Sequence, residues 1–212
     1  MQGYVSKAPY VPPTFEVAHR EKHFVGEIGE RSYTRLLDRL AVLTGVAVSE
    51  IHYESDGLRV TGLEVLPHFA PGEKGPLIIY NRGGNRMFGI LSVPQILTLM
   101  APMAEGMRAG VLASNYRGNG GGEGKEEFGG ADVRDVLRLI EVGKQQPWWD
   151  GRNIFMLGWS RGGMMTYLAL KAGAPVNAAA VGAGITDLFQ SLVERPEIEA
   201  AVYAPLMPDY AA

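Results

Sequence analysis

Residues 158–163 read GWSRGG and follow the apolar run NIFML (153–157). A serine set among glycines directly after a strand-like run is the pattern of a nucleophile held on a sharp strand-to-helix turn. Small neighbours tolerate the strained backbone, and the hydroxyl projects from the tip of the turn. The N–H of the next residue and the positive end of the following helix then face the same point. Ser160 is therefore the candidate nucleophile, and the backbone of Arg161 is one candidate donor to an oxyanion. The second donor is expected from the loop after the first central strand, PLIIY (76–80), which continues as NRGGNRMFG. Gly83 and Gly84 there would let backbone amides approach a substrate oxygen. Alternatively, the glycines of 158–163 serve only helix packing and those of 83–84 an ordinary turn. No Gly-Lys-Ser/Thr follows, which argues against a phosphate-binding loop.

A serine hydroxyl needs a base to take its proton. The four histidines, His19, His23, His52 and His68, all precede Ser160. His52 falls in a hairpin, His68 beside Pro67, and His19 and His23 in a charged lead-in, so nothing in the sequence sets any of them beside the serine. The segment NYRGNGGGEGKEEFGGADVRDV (115–136) reads as a flexible polar loop entering a helix. Asp132 and Asp135 in that helix's first turn suit its dipole better than a metal, since no histidine pairs with them.

The elements that must position these groups follow from the apolar pattern. Tyr33, Leu36, Leu37, Leu40 and Leu43 lie at helical spacing, so a helix is expected over 31–44, closed by Gly45. Asp56-Gly57 between two strand-like runs signals a hairpin. Continuous apolar runs at 76–80, 110–114, 153–159 and 177–184 alternate with helical patterns over 93–107, with Pro102 expected to kink it, 133–140 and about 160–171. Unbroken apolar strands alternating with helices imply a parallel sheet buried on both faces.

Taken together, RGGN (82–85), NYRGNG (115–120) and GWSRGG (158–163) resemble, in order and spacing, the catalytic domain of the prolyl oligopeptidase-like (S9-type) serine peptidases, an α/β-hydrolase family. Its members show a His-Gly-Gly-Pro-like loop, and Arg82 and Asn85 depart from that form. The resemblance covers about residues 50–190. It implies a Ser-Asp-His triad acting on peptide or ester carbonyls through an acyl-serine at Ser160, with oxyanion donors at Arg161 and Gly83. It places the acid one strand after GITDLF (184–189), so Asp187 is not the acid it implies, although other α/β-hydrolases place an acid there.

In this fold the partners follow in the order Ser, acid, His, and only 28 residues follow Gly184. Two more strand–helix units of about 30 residues each do not fit. The expected architecture is an α/β-hydrolase-like sheet with helices on both faces and an N-terminal hairpin, incomplete at the C-terminus. Residues 1–45 are expected to form an extension and 46–212 the hydrolase domain. Three readings of the missing base remain: part of a longer hydrolase, a short form inactive or completed by a partner chain, and a non-catalytic interaction protein on this scaffold. The last strand is expected to expose its outer edge and to promote self-association.

Bulk composition bounds the partners. A formal net charge of −3 gives no reason to expect nucleic acid or an anionic membrane. The absence of cysteine excludes thiolate catalysis and thiolate metal sites. A small peptide or ester is the expected substrate, with no metal or cofactor. The lack of a signal-like or membrane-length apolar stretch leads to a cytoplasmic expectation.

Overall fold

In the computed structural model the described residues are 4–21, 23 and 28–210. The remainder of the lead-in, including Lys22 and Phe24, and the last two residues lie outside them. Seven strands form one sheet: β1 (Ser6–Pro9), β2 (Val46–Ser55), β3 (Leu58–Pro67), β4 (Gly75–Asn81), β5 (Gly110–Ser114), β6 (Trp149–Trp159) and β7 (Ala178–Gly182). Their spatial order is β1-β2-β3-β5-β4-β6-β7. β1 to β3 pair antiparallel, and β3 pairs antiparallel with β5; β5, β4, β6 and β7 run parallel.

The helices are α1 (Phe15–Arg20), α2 (Glu30–Ala41), α3 (Val93–Gln95), α4 (Ala101–Met107), α5 (Asp132–Gly143), α6 (Arg161–Lys171), α7 (Leu188–Glu194) and α8 (Ala204–Leu206). A π-helical segment, Ile96–Met100, joins α3 to α4, and a second, Glu199–Tyr203, leads into α8.

The local chemistry accounts for these elements. The β2–β3 hairpin turns on Asp56 and Gly57, both at positive φ (53° and 77°), as the two-residue turn between twisted strands requires. β4 and β5 are apolar throughout because both sheet faces are covered. Leu77 and Ile79 pack with Leu112 against α5 and α6, and Ile78 and Tyr80 pack with Val111 and Ala113 against α4 and the π segment before it. Pro102 does not break its helix. The chain widens to a π turn just before it, with the N–H of Ala101 donating to the carbonyl of Ile96.

Two features of the lead-in were not expected from its sequence. β1 extends the sheet beyond β2, and α1 forms behind an N-cap in which Thr14 Oγ1 accepts from Val17 N. β1 is tied inward by Lys7, which pairs with the buried Glu64, and Tyr4 Oη donates to the same carboxylate at 2.5 Å. At the other end, β7 pairs with β6 alone, and no described strand lies beyond it. No described helix is long and apolar enough to cross a membrane.

Candidate active site

β6 ends in Trp159, α6 begins at Arg161, and Ser160 makes the turn between them at φ 55°, ψ −124°. That is a sparsely populated backbone state for a residue with a Cβ, and it costs on the order of 1–3 kcal/mol. The surroundings hold it there. Ser160 N donates to Gly182 O at 2.9 Å, and its carbonyl accepts from Gly163 N at 2.8 Å. A Cβ on Gly158 would overlap the carbonyl of Gly162, and one on Gly162 would overlap that of Asn81. The glycines of GWSRGG thus let α6 descend onto the carboxyl ends of β6 and β4.

The loop after β4 meets the same turn. A Cβ placed on Gly83 would lie 3.3 Å from Ser160 Cβ and 3.9 Å from its Oγ. Ser160, Arg161 and Gly83 are therefore brought together. Arg161, as the first residue of α6, has a backbone N–H without an acceptor inside the helix.

The side chains beneath this turn were not foreseen as a unit. Arg161 is 1% exposed and pairs with two buried carboxylates, Glu126 and Asp132. It also donates to Gly84 O at 3.0 Å, and its guanidinium lies 4.8 Å from the Tyr116 ring centre and 4.6 Å from that of Phe128. Glu126 in turn accepts from Arg86 N at 2.6 Å and from Asn119 Nδ2 at 3.2 Å. One guanidinium thus joins the loop after β4, the loop after β5 and the start of α5.

Arg82, where the resembled family has a histidine, is also fully buried. It donates to the carbonyls of Gly83, Arg86, Phe88 and Asn115, and its guanidinium lies 5.1 Å from the Tyr116 ring centre. Burial pushes the Arg161 guanidinium down to about 9 and that of Arg82 to about 10, and it pushes the Asp132 carboxyl up to about 6. All three stay charged for the most part at neutral pH.

Asp132 and Asp135 are thus not exposed helix-end charges. Asp135 is buried against Arg117, which bonds it through both Nε and Nη2 and extends to Asp56. No described group of three or more His, Cys, Asp or Glu side chains could hold a metal ion.

Ser160 opens onto a hollow of about 300 Å³ whose walls include Asp187, Gln190, Ser191, Glu194 and Tyr203. Asp187 shares the hollow with the serine, and its carboxylate caps α7 by accepting from Gln190 N at 2.9 Å. None of the four histidines borders the hollow. His68 bonds Thr44 O, His52 bonds Ser6 Oγ, His23 bonds Glu21, and His19 packs on Phe15.

A sheet with this strand order, carrying a strained serine between β6 and α6, defines an α/β-hydrolase domain. Residues 100–200 match the model of the prolyl oligopeptidase family. A Bacillus subtilis (strain 168) protein described as the uncharacterized peptidase YtmA is 33% identical over 154 residues, which are 72% of this chain and 57% of that protein. These matches support a prolyl oligopeptidase-like (S9-type) α/β-hydrolase domain.

Among solved structures, the acylaminoacyl peptidase of Pyrococcus horikoshii superposes with a TM-score of 0.60 at 27% identity, over 73% of this chain and 26% of that one. An acetyl xylan esterase from Paenibacillus sp. R4 shares the fold, with a TM-score of 0.57 at 18% identity over 77% of this chain and 58% of that one. The chain thus spans little more than half the length of the Bacillus relative and about a quarter of the archaeal peptidase.

Proposed function

We propose that this domain carries the nucleophile and the oxyanion donors of a serine peptidase or esterase, and that Ser160 is acylated by its substrate. The observation that carries the reading is the strained backbone of Ser160 at the β6–α6 junction, packed against Gly83. In this reading Ser160 Oγ attacks the carbonyl carbon, and the developing oxyanion is met by the N–H groups of Arg161 and Gly83. The preorganised donors and the dipole of α6 stabilise charge that appears only in the transition state. The buried Arg161–Glu126–Asp132 cluster fixes the spacing of the two donor loops. None of the four histidines borders the hollow at Ser160, so in this reading the base is a group other than these histidines.

The test is chemical rescue. Imidazole supplied in solution is expected to accelerate p-nitrophenyl acetate turnover above the buffer reaction in the wild-type chain and not in Ser160→Ala. Equal acceleration in both proteins would overturn the reading and favour a non-catalytic scaffold. Comparing p-nitrophenyl esters with acyl-peptide p-nitroanilides under the same rescue separates esterase from peptidase.

A further inference from the structure

The two peptide planes that flank Gly83 are each pinned by a side chain. On the C-terminal side, Arg82 Nη1 donates to Gly83 O at 3.1 Å. The same guanidinium spends its other donors on the carbonyls of Arg86, Phe88 and Asn115, so the loop is drawn around it. On the N-terminal side, Tyr116 Oη donates to Arg82 O at 3.0 Å. A planar trans peptide points its N–H opposite to its carbonyl. The bond that holds Arg82 O therefore also sets the direction of Gly83 N–H. That N–H finds no main-chain acceptor among the described residues, and Gly83 stands against Ser160.

Tyr116 is itself firmly held. It is 0% exposed, and its ring centre lies 5.1 Å from the Arg82 guanidinium and 4.8 Å from that of Arg161. Its N–H donates to Ser114 Oγ at 2.9 Å, and its φ of 64° is a left-handed state uncommon for a residue with a Cβ. Burial pushes its phenol above the usual tyrosine range, so the hydroxyl stays a neutral donor.

We propose that Tyr116 is a positioning residue of the reaction: its hydroxyl aims the Gly83 N–H at the substrate's carbonyl oxygen. Its ring ties that donor to Arg161, the residue that supplies the other one. The loop after β5 thus shapes the oxyanion site without donating to it. The role rests on the reading of Ser160 as the nucleophile.

The test removes the hydroxyl and keeps the ring, in Tyr116→Phe. Labelling with [1-13C]arginine and [15N]glycine selects the Arg–Gly peptide bonds at 82–83, 117–118 and 161–162, which triple-resonance spectra assign. The Arg82 carbonyl carbon is expected to move upfield as it loses its donor, and the Gly83 amide to move with it, while the 161–162 pair stays in place. Fluorophosphonate labelling of Ser160, with imidazole present, is expected to slow by about 10-fold, less than the 10²–10³-fold typical of deleting an oxyanion donor. Tyr33→Phe is the control, since that buried hydroxyl also donates to a main-chain carbonyl, Pro13 O at 2.8 Å, but in the lead-in. It is expected to alter neither the Arg82–Gly83 signals nor the labelling rate.

Unmoved Arg82 and Gly83 signals in Tyr116→Phe, an undiminished labelling rate, or equal slowing in Tyr33→Phe would overturn the proposal. The two readings fail separately. A wild-type chain that never labels at Ser160 removes the catalytic reading, and the Arg82–Gly83 signals then still decide whether Tyr116 sets that peptide plane. A labelled Ser160 with those signals unmoved in Tyr116→Phe removes this proposal alone.

Discussion

The side chain of Arg161 offers the sharpest energetic test of how the site is built. Arg161→Met keeps the volume and the backbone and removes the charge. It leaves Glu126 and Asp132 facing each other in a space where they are 4% and 0% exposed. Removing one partner of a buried ion pair costs about 3–5 kcal/mol, because the remaining charge has neither water nor counter-ion. Against a total stability of about 5–15 kcal/mol for a single domain, that is a large fraction.

Urea unfolding provides the assay. With a slope of about 2 kcal/mol/M, the midpoint is expected to fall by roughly 1.5–2.5 M at unchanged slope. The triple variant Arg161→Met, Glu126→Gln, Asp132→Asn is expected to recover most of the loss, since no charge then remains buried. The penalty of the single variant is also expected to shrink below about pH 6. The folded state already holds the Asp132 carboxyl at about 6 by burial, whereas an unfolded aspartate titrates near 3.9, so the folded variant takes up a proton that the unfolded chain does not. A change under about 0.5 kcal/mol in Arg161→Met, or a triple variant no more stable than the single one, would refute the view that this cluster holds the loops together.

Other outcomes follow from the same structure. Ser160→Gly is expected to raise stability by about 1 kcal/mol, seen as a Tm increase of about 3 °C, because glycine relieves the strain at φ 55° at a smaller entropic cost. Ser160→Ala, which keeps the Cβ, is expected to leave Tm unchanged. The Asp56 carboxyl is held below its usual range by hydrogen bonds from Arg117 and then Arg134. Its contribution is therefore present above about pH 4 and lost as pH falls through the depressed value. Asp56→Asn is expected to flatten that acid limb by no more than about 1 kcal/mol, given its exposure, as measured by denaturation from pH 5 to pH 2. Sedimentation velocity is expected to show concentration-dependent self-association through the outer edge of β7, reduced by Ala179→Lys, since an edge charge opposes strand pairing.

Much of this was legible in the sequence, for reasons that differ by element. The runs at 76–80 and 110–114 mark β4 and β5 because a strand buried on both faces has no polar positions to obscure it. Asp56-Gly57 marks the hairpin because few other residue pairs adopt two positive φ angles. GWSRGG marks the elbow because each glycine there stands where a Cβ would strike backbone.

What escaped was set by partners remote in the chain. β1 reads SKAP, with no alternation, and joins the sheet through backbone pairing with β2 and through Glu64, which lies 57 residues beyond Lys7. Asp132 read only as a charge suited to its helix dipole because its counter-ion, Arg161, lies 29 residues away on another helix. The available signal was an arginine directly after the candidate nucleophile, with Glu126 and Asp132 flanking the start of the preceding helix, and only the tertiary arrangement joins them. The π segment escaped because the pattern of apolar residues is nearly the same in an α and a π turn.

The central claim is that Ser160 is the reactive group of this domain. It is tested most directly by locating a fluorophosphonate adduct by tandem mass spectrometry, with imidazole present as external base. The expected result is one adduct per chain, on the peptide containing Ser160 and absent from Ser160→Ala. Modification of a different residue, or no adduct up to pH 9 in a folded chain, would contradict it.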